Sequence, residues 1–191
     1  MTKQDFSNLT GKILIASPFA MEGNVFHKSL IYVVKHTDEG SVGLIFNHTV
    51  KNAPANSLFK KIDSNIKDDI RLDIHLGGPV EVERGFFLHT GEYNKNLLFN
   101  TEASNLAVSS NSQILQDISN GAGPENSLFI IGYTGWSAWQ LEFELEHNLW
   151  LISEPDHDLI FLEDSKQKWS KALGSLGIST NDFVEQNLAT C

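Results

Sequence analysis

Apolar residues along this chain come in short, dense runs rather than in long helical stripes. Residues 30–34 read Leu-Ile-Tyr-Val-Val, and residues 127–133 read Ser-Leu-Phe-Ile-Ile-Gly-Tyr. Runs of that length, rich in β-branched and aromatic residues, predict strands buried on both faces. By the same reasoning strands are expected at 12–16, 42–46, 84–90, 97–99, 106–108, 150–153 and 159–162. Asp38-Glu39-Gly40 lies between two such runs and predicts a hairpin turn. Residues 73–76 lead into a glycine turn, Gly77-Gly78-Pro79.

Helical segments are fewer. A short one is expected at 58–62, followed by a polar loop over 66–73. Ser110 and Gln113 have the spacing of a capping box, with Ile114, Leu115 and Ile118 as the apolar face and Gly121 at the C-terminal stop. Ser137 and Gln140 repeat the spacing and predict a helix to about residue 148. A last helix over 165–173 has Glu163 and Asp164 at its start and Lys166, Lys168 and Lys171 inside it, an order that suits the helix dipole. Strands and helices do not alternate regularly, so a doubly wound parallel sheet is disfavoured. The order favours an α+β fold with a mostly antiparallel sheet or partial barrel. One domain is expected over residues 1–178, with 179–191 as a frayed tail.

Composition narrows the function classes. Fourteen basic against 24 acidic residues give a net charge of −10. Nucleic-acid binding draws on clustered Lys and Arg that neutralise phosphates. Here the lysines are scattered among carboxylates, which disfavours direct contact with DNA or RNA. No apolar run approaches a membrane span, and the N-terminus lacks the order of a signal peptide. The one cysteine is Cys191, which fits a reducing, cytosolic setting and excludes an internal disulfide.

Several constellations carry possible chemistry. Gly132-Tyr133-Thr134-Gly135-Trp136-Ser137 reads as a link from a buried strand to a capped helix. It is either an anion site at a helix start or a tight turn whose cap already fills the donors. Gly77-Gly78-Pro79 is followed by Glu81, Glu83 and Arg84. The two glutamates are a possible acid–base pair on one strand face, or a solvated face with an ion pair to Arg84. His75 and His89 flank the glycine turn and could meet across a hairpin. Asp156-His157-Asp158 is the densest group of ligand-type residues, but three consecutive side chains on a strand cannot face one ion. No metal is expected, nor a cofactor: the chain has no P-loop, no Gly-x-Gly-x-x-Gly before a helix and no Gly-x-Ser-x-Gly. Ser-x-x-Lys occurs three times, as Ser57–Lys60, Ser64–Lys67 and Ser165–Lys168, and is too common here to mark a nucleophile. Trp136, Trp139, Phe143, His147 and Trp150 fall at helical spacing and predict one aromatic helix face, either core-facing or turned to a partner.

Taken in order, six motifs resemble one bacterial family. They are Ile15-Ala16-Ser17-Pro18; Phe26-His27-Lys28-Ser29-Leu30-Ile31 with His36; Val42-Gly43-Leu44-Ile45-Phe46-Asn47; Leu76-Gly77-Gly78-Pro79-Val80; Arg84-Gly85-Phe86-Phe87-Leu88-His89-Thr90; and Gly132-Tyr133-Thr134-Gly135-Trp136 with Gln140-Leu141-Glu142. The stretch from about residue 11 to 177 resembles the AlgH/YqgE family. The resemblance implies an α+β fold whose mostly antiparallel, bifurcated sheet includes a small closed barrel surrounded by helices. It implies a cytosolic protein and a link to transcriptional control, but no reaction. The chain departs from the family's pattern at Asn47-His48-Thr49, where a basic residue and proline commonly follow the asparagine. Thr134 stands where alanine is usual, and Trp139 stands where glycine usually precedes Gln-Leu-Glu.

Together these observations point to a non-catalytic binding or regulatory protein acting through a protein partner or a small ligand. The alternative is an enzyme of unrecognised type, a hydrolase or transferase. Its pocket would gather Gly77, Gly78, Pro79, Arg84 and His89 with the turn Gly132–Trp136; the candidate ligand-binding residues for either reading are Gly77, Gly78, Pro79, Arg84, His89, Tyr133, Thr134, Gly135, Trp136 and Gln140. Nothing in the pattern speaks to oligomeric state.

Overall fold

Strand β1 (Ile13–Ala16) is buried at every position, and β2 (Leu30–Thr37) at its first five. Side chains alternate across a strand, so both strands must have apolar layers on each face. That is the arrangement in a computed structural model of the chain, which describes residues 6, 8–18, 23–50, 58–60, 66, 70, 72–101 and 104–178. Ile13, Ile15, Leu30, Tyr32 and Val34 point into one core layer. Leu14, Ala16, Ile31 and Val33 point into a second. Each of the Leu, Ile and Val side chains contributes roughly 1.5–3 kcal/mol on full burial.

The remaining strands are β3 (Gly40–Ile45), β4 (Ile74–Leu76), β5 (Val80–Thr90), β6 (Leu97–Thr101), β7 (Leu106–Ser109), β8 (Ser127–Ser137) and β9 (Trp150–Ser153). They form one sheet in the order β6-β7-β5-β8-β3-β2-β1-β9, with β4 beside β8. The expected hairpin is present, β2 pairing antiparallel with β3. Long β8 holds the sheet together. One edge pairs with β5; the other pairs first with β4, in parallel, and then with β3, antiparallel. The sheet therefore forks at β8 and curls into an antiparallel half-barrel.

The expected small closed barrel is not formed. Closure needs a backbone ladder between the end strands, and the path leaves β6 and β9 as open ends. Where the curl brings the two sides together, side chains meet, with the Tyr32 and Ser104 hydroxyls sharing a 2.9 Å hydrogen bond.

Among the described residues three longer helices lie against the sheet: α1 (Ser112–Ser119), α2 (Gln140–Glu146) and α3 (Ser165–Ser175). The cap of α1 is Asn111, which accepts from the Ile114 N–H, and not Ser110; Gln113 instead donates to Asp117. The strand expected at 159–162 is a π-helical turn, Asp158–Leu162, in which Glu163 N–H bonds the Asp158 carbonyl. It buries Ile160 and leaves Leu162 exposed. A four-residue apolar run does not separate strand from helix by periodicity. The short helix expected at 58–62 is seen at 58–60, and its remainder lies outside the described residues, as do 179–191.

Candidate functional site

The two glycine turns singled out by the sequence do converge, but onto each other. Gly77 donates its N–H to the Ile131 carbonyl of β8 and accepts from the Ile45 N–H of β3, closing the fork from the inside. A Cβ on Gly77 would lie 2.3 Å from the Gly132 oxygen, and one on Gly78 2.3 Å from the Tyr133 oxygen. These glycines admit neighbouring backbone, so the space between the turns is already filled.

Residues 132–137 are not a turn into a helix. They continue β8, and Thr134, Gly135, Trp136 and Ser137 pair with Gly43, Val42, Ser41 and Gly40. Backbone donors spent in a ladder are not free for an anion. The helix that follows starts at Trp139, a left-handed residue with φ of 64° and no side-chain cap bond. Half of the expected capping box survives: Ser137 N–H donates to Gln140 Oε1 at 3.0 Å.

Arg84 and Tyr133 face one small cavity of about 170 Å³ on the concave side of the half-barrel, with Val34, Val42, Leu44 and Phe86 among its walls. Glu81 bridges them. Its carboxylate accepts from Arg84 Nη1 at 3.1 Å and from the Tyr133 hydroxyl at 3.4 Å. The expected shared face of Glu81 and Glu83 is broken by a bulge: β5 passes from Val80 to Gly85 while β8 passes only from Tyr133 to Ile131. Pro79 lies outside this cavity, in a shallow depression with Glu81, Val82, Glu83 and Arg84.

His89 is remote from it and wholly buried. Its Nδ1 donates to the Thr90 carbonyl at 2.9 Å, which leaves Nε2 to accept from the Ser109 hydroxyl at 3.0 Å. Burial lowers its pKa, in keeping with a neutral structural imidazole. His75 does not meet it across a hairpin, because β4 and β5 lie on opposite edges of β8.

The aromatic face expected on one helix is divided. Trp136 and Trp150 lie on β8 and β9, buried, with ring centroids 6.0 Å apart. Both indoles donate to Glu144 Oε2, at 2.8 and 2.7 Å, and Gln140 Nε2 donates to Glu144 Oε1 at 2.9 Å. Trp139 and Phe143 point away from this hub and are 65% and 58% exposed. The His147 ring lies against Phe143 at 4.0 Å.

Asp156 serves as a turn acceptor for Leu159 N–H, and His157 touches Asp158 at 3.4 Å. Among the described residues no group of three or more His, Cys, Asp or Glu is arranged to hold a metal, and no helix is long and apolar enough to cross a membrane.

Sequence reasoning passed over Lys168. It is 1% exposed and lines a cleft of about 350 Å³ beside His75 and the first turn of α3. The signal was its phase. Lys168, Trp169, Ala172 and Leu173 form the buried face of α3, so the lysine occupies a core position of an amphipathic helix.

Fold and site together define an open, curled, mostly antiparallel sheet with helices, carrying an exposed aromatic face and a polar cleft. The AlgH-like family model matches residues 13–181. The chain is 48% identical over 186 residues to a UPF0301 protein of Rickettsia canadensis, covering 97% of this chain and 98% of that one. It is 50% identical over 181 residues to a UPF0301 protein of Rickettsia felis, covering 95% of each. The solution structure of the AlgH protein from Pseudomonas aeruginosa superposes with a TM-score of 0.75 at 31% identity, covering 96% of this chain and 97% of that one. The chain belongs to the AlgH-like family, whose function is uncharacterised.

Proposed function

We propose that this chain is a non-catalytic, cytosolic binding protein that recognises a protein partner through the Trp139–Phe143 face. The observation that carries this reading is the exposure of two large aromatic side chains, 65% and 58%, at one end of a helix that is itself anchored. Glu144 on α2 binds Trp136, Trp150 and Gln140, so the helix presenting Phe143 is fixed before any partner arrives. Aromatic anchors in a fixed frame are the usual energetic centre of an interface. Glu146, one turn on from Phe143, is exposed, which favours a partner with an apolar pocket and a basic rim. A regulatory role, including one in transcription, would then run through that partner, since a net charge of −10 opposes phosphate contact.

A photo-crosslinking amino acid at position 143 identifies the partner in cells, and calorimetry with the purified partner measures the contact. The double variant Trp139→Ala, Phe143→Ala is expected to weaken binding by about 30-fold or more, roughly 2 kcal/mol. Unchanged affinity in that variant rejects the reading.

A second reading, a small-ligand or enzyme pocket, is favoured by one observation: Arg84 and Tyr133 share a cavity with an apolar floor. Its ligand would join a short apolar body to a group that accepts from the guanidinium. Arg84→Ala would abolish such binding; a metabolite whose affinity is untouched by Arg84→Ala and Tyr133→Phe binds elsewhere.

A further inference from the structure

Helix α3 presses one charged side chain into the molecule. Lys168 is 1% exposed and its ammonium donates to the Ile160 carbonyl at 2.6 Å. It also stands 5.5 Å over the Phe46 ring. An ammonium has three donors, and this is the one hydrogen bond it makes among the described residues. Glu163 and Asp164 act on it only at a distance. A buried cation without a direct counter-charge is costly, and such groups are ordinarily paired.

The lysine borders the 350 Å³ cleft, and so does His75. His75 is 3% exposed; backbone at Asp73 and Phe129 acts on its ring, but its Nδ1 has no hydrogen-bond partner among the described residues. Lys168 lies close enough to act electrostatically on its ring. Two buried polar groups with unused capacity therefore border the same space. The cleft volume lies within the range of small-molecule sites.

Other groups around it set the charge it can accept. Asp73 comes from the approach to β4, and Glu163, Asp164 and Lys166 from the start of α3; Thr49, Ser127 and Ser165 add hydroxyls. Two of the carboxylates are engaged. Glu163 pairs with Lys171 and accepts from Asp164 N–H, while Asp164 caps α3 by accepting from Lys166 N–H. The eleven-residue helix directs its positive end at the cleft. The acidic rim opposes a dianion, whereas the floor lacks one negative charge.

We propose that this cleft binds a small monoanionic oxyacid, with one oxygen on the Lys168 ammonium and a second polar group of the ligand meeting His75. The site is separate from both the aromatic face and the Arg84–Tyr133 cavity. Binding neutralises the buried cation, so affinity follows the protonation of Lys168 and falls as pH rises.

The experiment is a heteronuclear NMR titration of the full chain with acetate, lactate and inorganic phosphate. Acetate and lactate are expected to give saturable shifts centred on residues 73–75, 127–128 and 163–168. Phosphate, mostly dianion but still partly monoanion at pH 7.5, is expected to bind more weakly than either monocarboxylate. Lys168→Met should abolish the saturable response, and His75→Gln should weaken it severalfold. If Lys168→Met does not fold, wild-type affinity for lactate read from pH 7 to pH 10.5 decides: a loss with rising pH supports the site, and a flat profile overturns it. The proposal also fails if no probe saturates by about 50 mM, if the shifts centre elsewhere, if phosphate binds best, or if folded Lys168→Met binds as wild type does.

Discussion

Trp139 shows strain and exposure at one position. A bulky residue at φ of 64° crowds its own Cβ, at a cost of about 1–2 kcal/mol, which glycine does not incur. The indole is mostly in solvent, so little packing compensates. Trp139→Gly is therefore expected to raise stability by about 0.5–1 kcal/mol in urea unfolding, after allowing for glycine's freer unfolded chain. The same variant should weaken partner binding. A gain in stability with a loss of binding marks the tryptophan as retained for recognition.

Lys168 gives a second residue-level expectation. Burial lowers its pKa from 10.5 to about 8. The folded protein thus releases this proton near pH 8, while the unfolded chain holds it until about 10.5. Between those limits the unfolded state binds more protons, so stability rises with pH. Measured against Lys168→Met, wild type should gain up to about 3 kcal/mol between pH 8 and 10.5. A constant difference across that window would show that the ammonium is well solvated.

At the scale of elements, Glu144 ties α2 to the ends of β8 and β9. Glu144→Ala leaves the Trp136 and Trp150 indole N–H groups without their acceptor. Each unpaired buried donor costs about 1–3 kcal/mol, so a loss of about 2–5 kcal/mol is expected, with a change in tryptophan fluorescence. Glu144→Gln keeps an acceptor oxygen and should lose less. The caps of α1 offer a paired comparison: Asn111→Ala is expected to cost about 1 kcal/mol, and Ser110→Ala almost nothing. Both positions have capping side chains, and the sequence favoured Ser110 because Gln113 completed a box. Gln113 turned instead to Asp117, which also accepts from Tyr93 and Lys95. That choice belongs to the tertiary structure.

For the whole molecule, the open half-barrel keeps several histidines in its layers. Burial lowers the pKa of His48, His75 and His89 below the ordinary 6.5. Below pH 6.5 the unfolded chain therefore takes up protons that the folded one refuses, and stability must fall with acidification. The urea midpoint is expected to drop steadily from pH 7 to pH 5. A midpoint that holds across that interval would mean that these imidazoles charge without cost.

Much of the sheet was legible in the chain. Residues 30–34 and 127–133 are apolar at every phase or nearly so, and their length and β-branched and aromatic content favour buried strands. The hairpin at Asp38-Glu39-Gly40, the helix over 165–173 and the six ordered motifs of the AlgH-like family were equally plain, because turn chemistry and short-range periodicity are local. What was not local was not legible. Residues 159–162 carry a strand's composition and form a π-helical turn. Residues 132–137 look like a glycine turn yet continue β8, because β3 supplies a partner for the backbone of 134–137. Trp136, Trp139, Phe143 and Trp150 share a helical period, yet only the pairing of β8 with β3 and of β9 with β1 sends two of them inward and leaves two in solvent. Lys168 and His75 lie 93 positions apart. No spacing rule joins them; they meet at a cleft bordered by β4 and the start of α3, and burial by neighbours distant in sequence gives both side chains their chemistry.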